Sequence, residues 1–455
     1  MATETIDARE RFEPSAFAVF RFTTRSLDAD GLVRLGYAFD GGPSFEEQFQ
    51  LPRGAADKQE LRRVEPLLAL LHWVAGVSYY KAAAPGKLEF DGPLPGPAAA
   101  ALITALYSEG LGEFAYRAGL AALPRPEFQA GPAAGAELRE GSREPSSVLV
   151  PVGGGKDSVV ALEIVRAAVE RCELFSVGDA APIARTVAVA GLPRELARRT
   201  IDPLLIELNS RGALNGHVPV TAIIACCALL VAALADIDAV ALANERSASE
   251  GNLEWGGIRV NHQFSKSFAV ERLLAAAAQE ARGPAIFSVL RPASELAIAR
   301  AFARLPAYHA AFTSCNAIFR LDPELRASSW CCDCPKCRFV FLALAPFLDP
   351  AQLTAIFGRD LLEDPSQADG FALLTATGGH KPFECVGEEQ ESVAALRLIA
   401  EDERWREHVV VAELRRRVLA TVPADFGDPA AVLALGGEHL IPANLEPRVR
   451  EVLGA

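Results

Sequence analysis

Apolar and polar positions alternate with a period of two through residues 17–22, 32–39 and 45–49. Asp28-Ala29-Asp30-Gly31 and Asp40-Gly41-Gly42 lie between these runs, so the pattern predicts a β-meander closed by tight turns. The period then becomes helical over 58–76 and again over 96–118, where Leu102, Ile103, Leu106, Tyr107 and Leu111 share a face. Together these predict an N-terminal α+β domain over 1–120. It shows no chemistry of its own and is expected to pack, or to hold a distal part of a substrate. Residues 121–146 are rich in Pro, Ala, Gly and charge and read as a linker.

From residue 147 strand and helix patterns alternate. Strands are predicted at 148–152, 174–177, 186–189 and 239–243, and helices from 156 to about 170, over 192–201 and, strongly apolar, over 220–234. This order predicts the α/β class, with a doubly wound parallel sheet over 147–345 whose ligands sit at the carboxyl ends of its strands. Residues 346–455 read as a helical C-terminal region contributing to the site, with charged helical patterns at 389–407 and 410–419. No internal repeat is evident.

The length of 455 residues allows an ample core, and the net charge of −13 argues against nucleic acid as a partner. No apolar run reaches the roughly 18 residues a membrane span needs, and residues 1–14 lack the apolar centre of a secretory signal. A cytoplasmic protein with no membrane partner is expected, in which nine cysteines serve as metal ligands, catalysts or core rather than disulfides.

The richest stretch is Gly153-Gly154-Gly155-Lys156-Asp157-Ser158, between a β-branched run and an apolar helix pattern. Glycines there aim backbone N–H groups at an anion, the helix N-terminus adds its dipole and Lys156 a charge. No glycine at 149–151 opens the frame of a Walker A motif. The run instead resembles the pyrophosphatase loop, Ser-Gly-Gly-x-Asp-Ser, of enzymes that split ATP into AMP and diphosphate, with Gly153 where Ser is usual. His217, in the turn Asn215-Gly216-His217-Val218-Pro219, faces a helix start and is a candidate for nucleotide binding.

After the strand at 239–243 comes a long polar segment holding Asn244, Glu245, Arg246, Ser247, Ser249, Glu250, Asn252, Asn261, His262, Gln263 and Lys266. Its variety and its place at a strand's carboxyl end suit substrate or Mg²⁺ binding. Cys331, Cys334 and Cys337 form two overlapping C-x-x-C steps, and Cys315 completes a four-thiolate set for zinc. The same pattern also suits an iron–sulfur cluster or a redox pair. Cys226-Cys227 lies in an apolar helix and is read as core, and Cys332 as a spare thiol. Last, His380, Lys381, Glu384 and Cys385 gather in a glycine-bracketed stretch between two helices.

Taken together, Gly153 to Ser158, Asn215 to Pro219, Asn244 to Asn252, Asn261-His262-Gln263, Cys331 to Cys337 and His380 to Gly387 resemble the UDP-N-acetylmuramoyl-L-alanyl-L-glutamate epimerase family. The resemblance spans roughly residues 147–387 and implies a sheet of the ATP-pyrophosphatase (adenine nucleotide hydrolase-like) type. It implies an ATP- and Mg²⁺-dependent isomerase of peptidoglycan synthesis that inverts the terminal L-Glu of a nucleotide-sugar dipeptide through an acyl-adenylate. Gly153, Gly154, Gly155, Lys156, Asp157, Ser158 and His217 would then bind ATP. Asn244, Glu245, Arg246, Ser247, Glu250, Asn252, Asn261, Gln263 and Lys266 would bind substrate. His262 and Cys385 are candidates for the proton-transfer pair, with Lys381 or Glu384 as substitutes. The cysteines also resemble the zinc site of the deazaguanine nitrile synthase, which would imply an amidating ligase. A non-enzymatic adenine-nucleotide-binding module stays open as well.

Overall fold

The structure, a computed structural model, describes residues 11–132, 144–319, 326–375 and 381–454. Part of the expected linker (133–143) and His380 lie outside the described residues. The strands are β1 (Val19–Leu27), β2 (Leu32–Phe39), β3 (Ser44–Gln50), β4 (Lys87–Phe90), β5 (Ser147–Pro151), β6 (Arg171–Val177), β7 (Arg194–Thr200), β8 (Ala239–Leu242), β9 (Leu253–Trp255), β10 (Ile258–Val260) and β11 (Ala285–Ser288). All but β9 and β10 join one sheet in the order β11-β8-β5-β6-β7-β3-β2-β1-β4.

From β11 to β7 the strands run parallel, whereas β7–β3, β3–β2 and β2–β1 are antiparallel. The expected parallel sheet is thus half of a mixed one, continuous with the meander through Gln48 to Gln50 on β3 and Arg198 to Thr200 on β7. Chain order reverses at β5, which has β6 on one side and β8 on the other. Such a switch point opens a crevice at the strands' carboxyl ends.

Two expected elements are overturned between β6 and β8. Residues 186–189, read as a strand, lie in the helix Ala181–Ala190, which buries Pro182, Ile183, Thr186 and Ala190 on one face and stops at left-handed Gly191. Residues 192–201, read as a helix, contain β7. The misreading has a physical cause, because β7 is a charged strand whose partners are ionic. Glu195 pairs with Arg53, Arg199 with the fully buried Glu47, and Arg194 with Asp179 at 2.5 Å. The helix expected over 96–118 breaks at Ser108 into Pro97–Tyr107, a 3₁₀ turn and Gly112–Arg117.

Apolar surface is buried on both faces. One core joins the meander to the helices Lys58–Ala75, Val220–Leu234 and Phe268–Glu280, with Cys226 and Cys227 inside it as expected. The other joins β5 and the helices Lys156–Arg166, Glu295–Ala303 and Pro335–Leu344 to the C-terminal helices, including Glu389–Glu401. Among the described residues no helix is long and apolar enough to cross a membrane.

Candidate active site

The glycine turn follows β5 directly. Gly154 has φ +80°, and a Cβ there would meet the backbone of Pro182 and Ile183 at 2.7–2.8 Å, so glycine is required. Gly155 caps the helix Lys156–Arg166 with no side-chain oxygen, so its first N–H groups receive no side-chain cap. A Cβ at Gly153 would meet nothing within 4 Å, so the serine usual in such loops has room here.

Lys156 turns inward. Its ammonium is fully buried and ion-paired with Asp157 and Glu295. Burial opposes the charge, but the two carboxylates outweigh it and raise the lysine's pKa. Asp157 is held low against burial by Lys156, Lys336 and Lys266, while burial and Asp157 push Glu295 up. Behind them Glu391 accepts the Glu295 N–H at 2.9 Å, and burial beside Glu388 and Glu295 raises it to about 8. Glu245, at the end of β8, is fully buried, and neither of its carboxylate oxygens has a hydrogen-bond partner among the described residues.

The side chains of His262 and Cys385, 123 positions apart in the chain, interact electrostatically. The β9–β10 hairpin, turned by Gly256 and Gly257 at φ +58° and +79°, delivers His262. Asn252 then latches the two loops: its Oδ1 accepts the His262 N–H and its Nδ2 donates to Pro382 O, both at 2.8 Å. Gln263 Nε2 donates to Val386 O at 3.3 Å, and Lys336 donates to Cys385 O. The second ring nitrogen of His262, Nδ1, lies 2.5 Å from Oε2 of buried Glu113.

Burial opposes the His262 charge, but Cys385 and Glu113 prevail and raise its pKa to about 9. Burial also opposes a Cys385 thiolate, yet Lys266, His262 and Lys336 bring the thiol down to about 7. The His217 ring lies tilted against that of His262, centroids 4.5 Å apart, and burial and that neighbour lower its pKa to about 4.

Other expected residues take supporting places. Asn261 donates to Ala248 O at 2.9 Å, Lys266 to Gln263 Oε1 at 3.3 Å, and Ser158 Oγ to Gly155 O at 2.9 Å. Asn244 and Ser247 are buried. Arg246 reaches away to the carbonyls of Val432 and Ala434. Lys381 faces Glu388 and Glu389, whose neighbour is Glu250, rather than His262. Glu384 accepts from Asn316, and burial raises its pKa.

The sulfurs of Cys315, Cys331, Cys334 and Cys337 all lie within 4.8 Å of one another, with Cys331 and Cys337 at 3.7 Å. Bonds of about 2.3 Å to one tetrahedral zinc require sulfurs about 3.8 Å apart, so the set suits a single ion. Cys332, at φ +59°, turns out of the set toward Phe357 O.

Family comparison fits this geometry. The model of the MurL N-terminal domain matches residues 11–288 and that of the MurL C-terminal domain residues 311–426. The chain belongs to the MurL family. Relatives named UDP-N-acetyl-alpha-D-muramoyl-L-alanyl-L-glutamate epimerase are 45% identical in Salinispora tropica and 46% in a Micromonospora strain, each over 93% of this chain and 94% and 96% of theirs. A third, from Xanthomonas oryzae pv. oryzae, is 41% identical over 96% of this chain and 98% of its own. No solved structure matches. As a MurL-family member the chain is an epimerase, an isomerase by class.

Several residues of this candidate site escape a sequence reading. Glu113 comes from the N-terminal unit, which was expected to carry no chemistry. The only hint is the break at Gly110-Leu111-Gly112 that aims it. Lys336 hides inside the cysteine motif, and Glu295 heads an apolar helix as an ordinary first-turn acid.

Proposed function

We propose that this chain is the ATP-dependent epimerase that inverts the terminal L-Glu of UDP-N-acetylmuramoyl-L-Ala-L-Glu to D-Glu in peptidoglycan precursor synthesis, releasing AMP and diphosphate. The observation that carries this reading is that a glycine turn suited to phosphates and the His262–Cys385 pair share two lysines, Lys266 and Lys336, which face both Asp157 and Cys385. We read the parallel half of the sheet as ATP-pyrophosphatase-like, which the glycine turn at its switch point supports.

An α-proton beside a free carboxylate is hard to remove, because the product is a poorly stabilised dianion. Adenylation makes the carboxyl a neutral acyl group whose enolate can be stabilised by fixed positive charge. The N–H groups of Gly153 to Gly155, the first turn of the helix and Ser158 hold the phosphates. Glu245, whose oxygens lack a hydrogen-bond partner among the described residues, would hold Mg²⁺ together with Asp157, since Lys266 feels both carboxylates. Bound there, the ion would neutralise the leaving diphosphate. His262 takes the α-proton and Glu384 returns one, and Lys266 and Lys336, which face Cys385, set positive charge beside the enolate. The four cysteines would hold a structural zinc, and the helix they cap carries Lys336.

The test is purified protein with ATP, Mg²⁺ and the nucleotide dipeptide, followed by nucleotide analysis and chiral analysis of the glutamate. AMP, diphosphate and the D-Glu epimer are expected in equal final amounts. AMP without inversion would favour an amidating ligase, and no AMP a nucleotide-binding module.

A further inference from the structure

We propose that Cys385, His262 and Glu113 work as a nucleophile, its acid/base partner and the group that orients that partner, and that Cys385 carries the substrate's acyl group as a thioester between adenylation and hydrolysis. The proposal rests on the reading above, because the acyl-adenylate is the donor.

Two groups that serve opposite faces of a carbanion must stand apart, with the α-carbon between them. Asn252 and Gln263 instead bind the His262 and Cys385 loops together, and the two side chains interact with each other, which is how a nucleophile meets its base. Glu113 occupies Nδ1 of the ring at 2.5 Å, which leaves Nε2 for the sulfur. Glu113 is itself held by Arg117 at 2.8 Å and is buried. A nucleophile, a base and a third group that orients the base complete the arrangement of covalent acyl-transfer sites. The Cys385 backbone is fixed as well, by Lys336 on its carbonyl and Gln263 on the next one.

In the first step the thiolate attacks the acyl carbon. A C–S bond forms, the bond from that carbon to the phosphate oxygen breaks, and AMP leaves with the electron pair. No proton moves, since His262 already holds the one the thiol lost. With the thiolate consumed, His262 releases its proton to solvent and becomes a neutral base. Sulfur conjugates weakly with the carbonyl, so the α-proton of the thioester is more acidic than that of the free carboxylate. His262 takes that proton, and Glu384, beside Cys385 in the chain, returns one on the other face. Both then re-equilibrate with solvent. Water finally attacks the acyl carbon and the C–S bond breaks. One proton of the water passes to His262 and one to solvent, restoring the thiolate–imidazolium pair. The thioester keeps the activated acyl group on the protein after AMP has gone, so inversion does not compete with loss of a water-labile adenylate.

The test is a single turnover of the wild-type protein with ATP, Mg²⁺ and the nucleotide dipeptide, quenched in acid. Intact mass should rise by the substrate's acyl group. The adduct should map to Cys385, be removed by hydroxylamine and be absent from Cys385→Ala, and an AMP burst should precede free product. AMP and free D-Glu product rising together with no adduct, or inversion retained by Cys385→Ala, would overturn the thioester while leaving adenylation intact. Absence of AMP would overturn adenylation and the thioester with it. For Glu113, the pH profile of Cys385 alkylation should move up by roughly one unit in Glu113→Gln. An unmoved profile in a folded Glu113→Gln would remove its positioning role.

Discussion

At Cys385 burial and neighbouring charge pull in opposite directions, and charge wins. Lys266, Lys336 and His262 face the sulfur, while Glu113, His217 and Cys385 face the imidazole. The thiol sits at about 7 and the imidazolium at about 9, so thiolate and imidazolium coexist between them. Activity should rise as pH climbs through about 7, where the thiolate forms. This is an apparent value of the pair, readable as the rising limb of kcat/KM. His262→Ala should move Cys385 alkylation to higher pH. The glycine turn gives a second contrast. Gly154→Ala puts a Cβ into the Pro182 backbone at positive φ and should cost about 1–3 kcal/mol in urea unfolding, whereas Gly153→Ser should cost little. The candidate residues at 153–158, 262 and 385 stood out in the sequence because glycine, histidine and cysteine are costly choices in ordinary loops. Glu113 and Glu295 were not, since a lone acid in a helix's first turn is what capping alone would select.

Among the elements, the cysteine-bearing segment does most to join distant parts. Cys334 caps the helix Pro335–Leu344, so the sulfur set fixes Lys336 against Cys385 and Glu295, and Asn316, next to Cys315, grips Glu384. One equivalent of zinc per chain is expected by elemental analysis. Cys334→Ser or a strong chelator should release it and cut epimerisation more than tenfold, on the order of losing a metal's outer support. The β3–β7 seam depends on Arg199 and the fully buried Glu47. Arg199→Ala should cost about 3–5 kcal/mol by urea unfolding, because it leaves a buried carboxylate unpaired. That seam also marks where periodicity fails as a guide. The apolar strands β1, β2, β5 and β8 and the helix Val220–Leu234 match their patterns, whereas β7 is held by ion pairs that no hydrophobic period records.

For the whole molecule, the unbroken sheet means that the meander half and the parallel half share backbone hydrogen bonds as well as the Glu113–His262 contact. Trp73 lies in one core and Trp330 and Trp405 in the other. Unfolding followed by tryptophan fluorescence and by far-UV circular dichroism should therefore coincide in one transition. A family resemblance was legible because its motifs fall on loops at strand ends. The joining of the sheet was not, because strand order depends on contacts far apart in the chain. The central claim is that a carboxyl is activated by ATP so that its α-proton can be exchanged. The most direct measurement is the reaction of protein, ATP, Mg²⁺ and UDP-N-acetylmuramoyl-L-Ala-L-Glu in D₂O, followed by hydrolysis of the product and mass and chiral analysis of its glutamate. AMP with D-Glu carrying deuterium at its α-carbon is the predicted result. D-Glu formed without ATP, or without α-deuterium, would contradict the account.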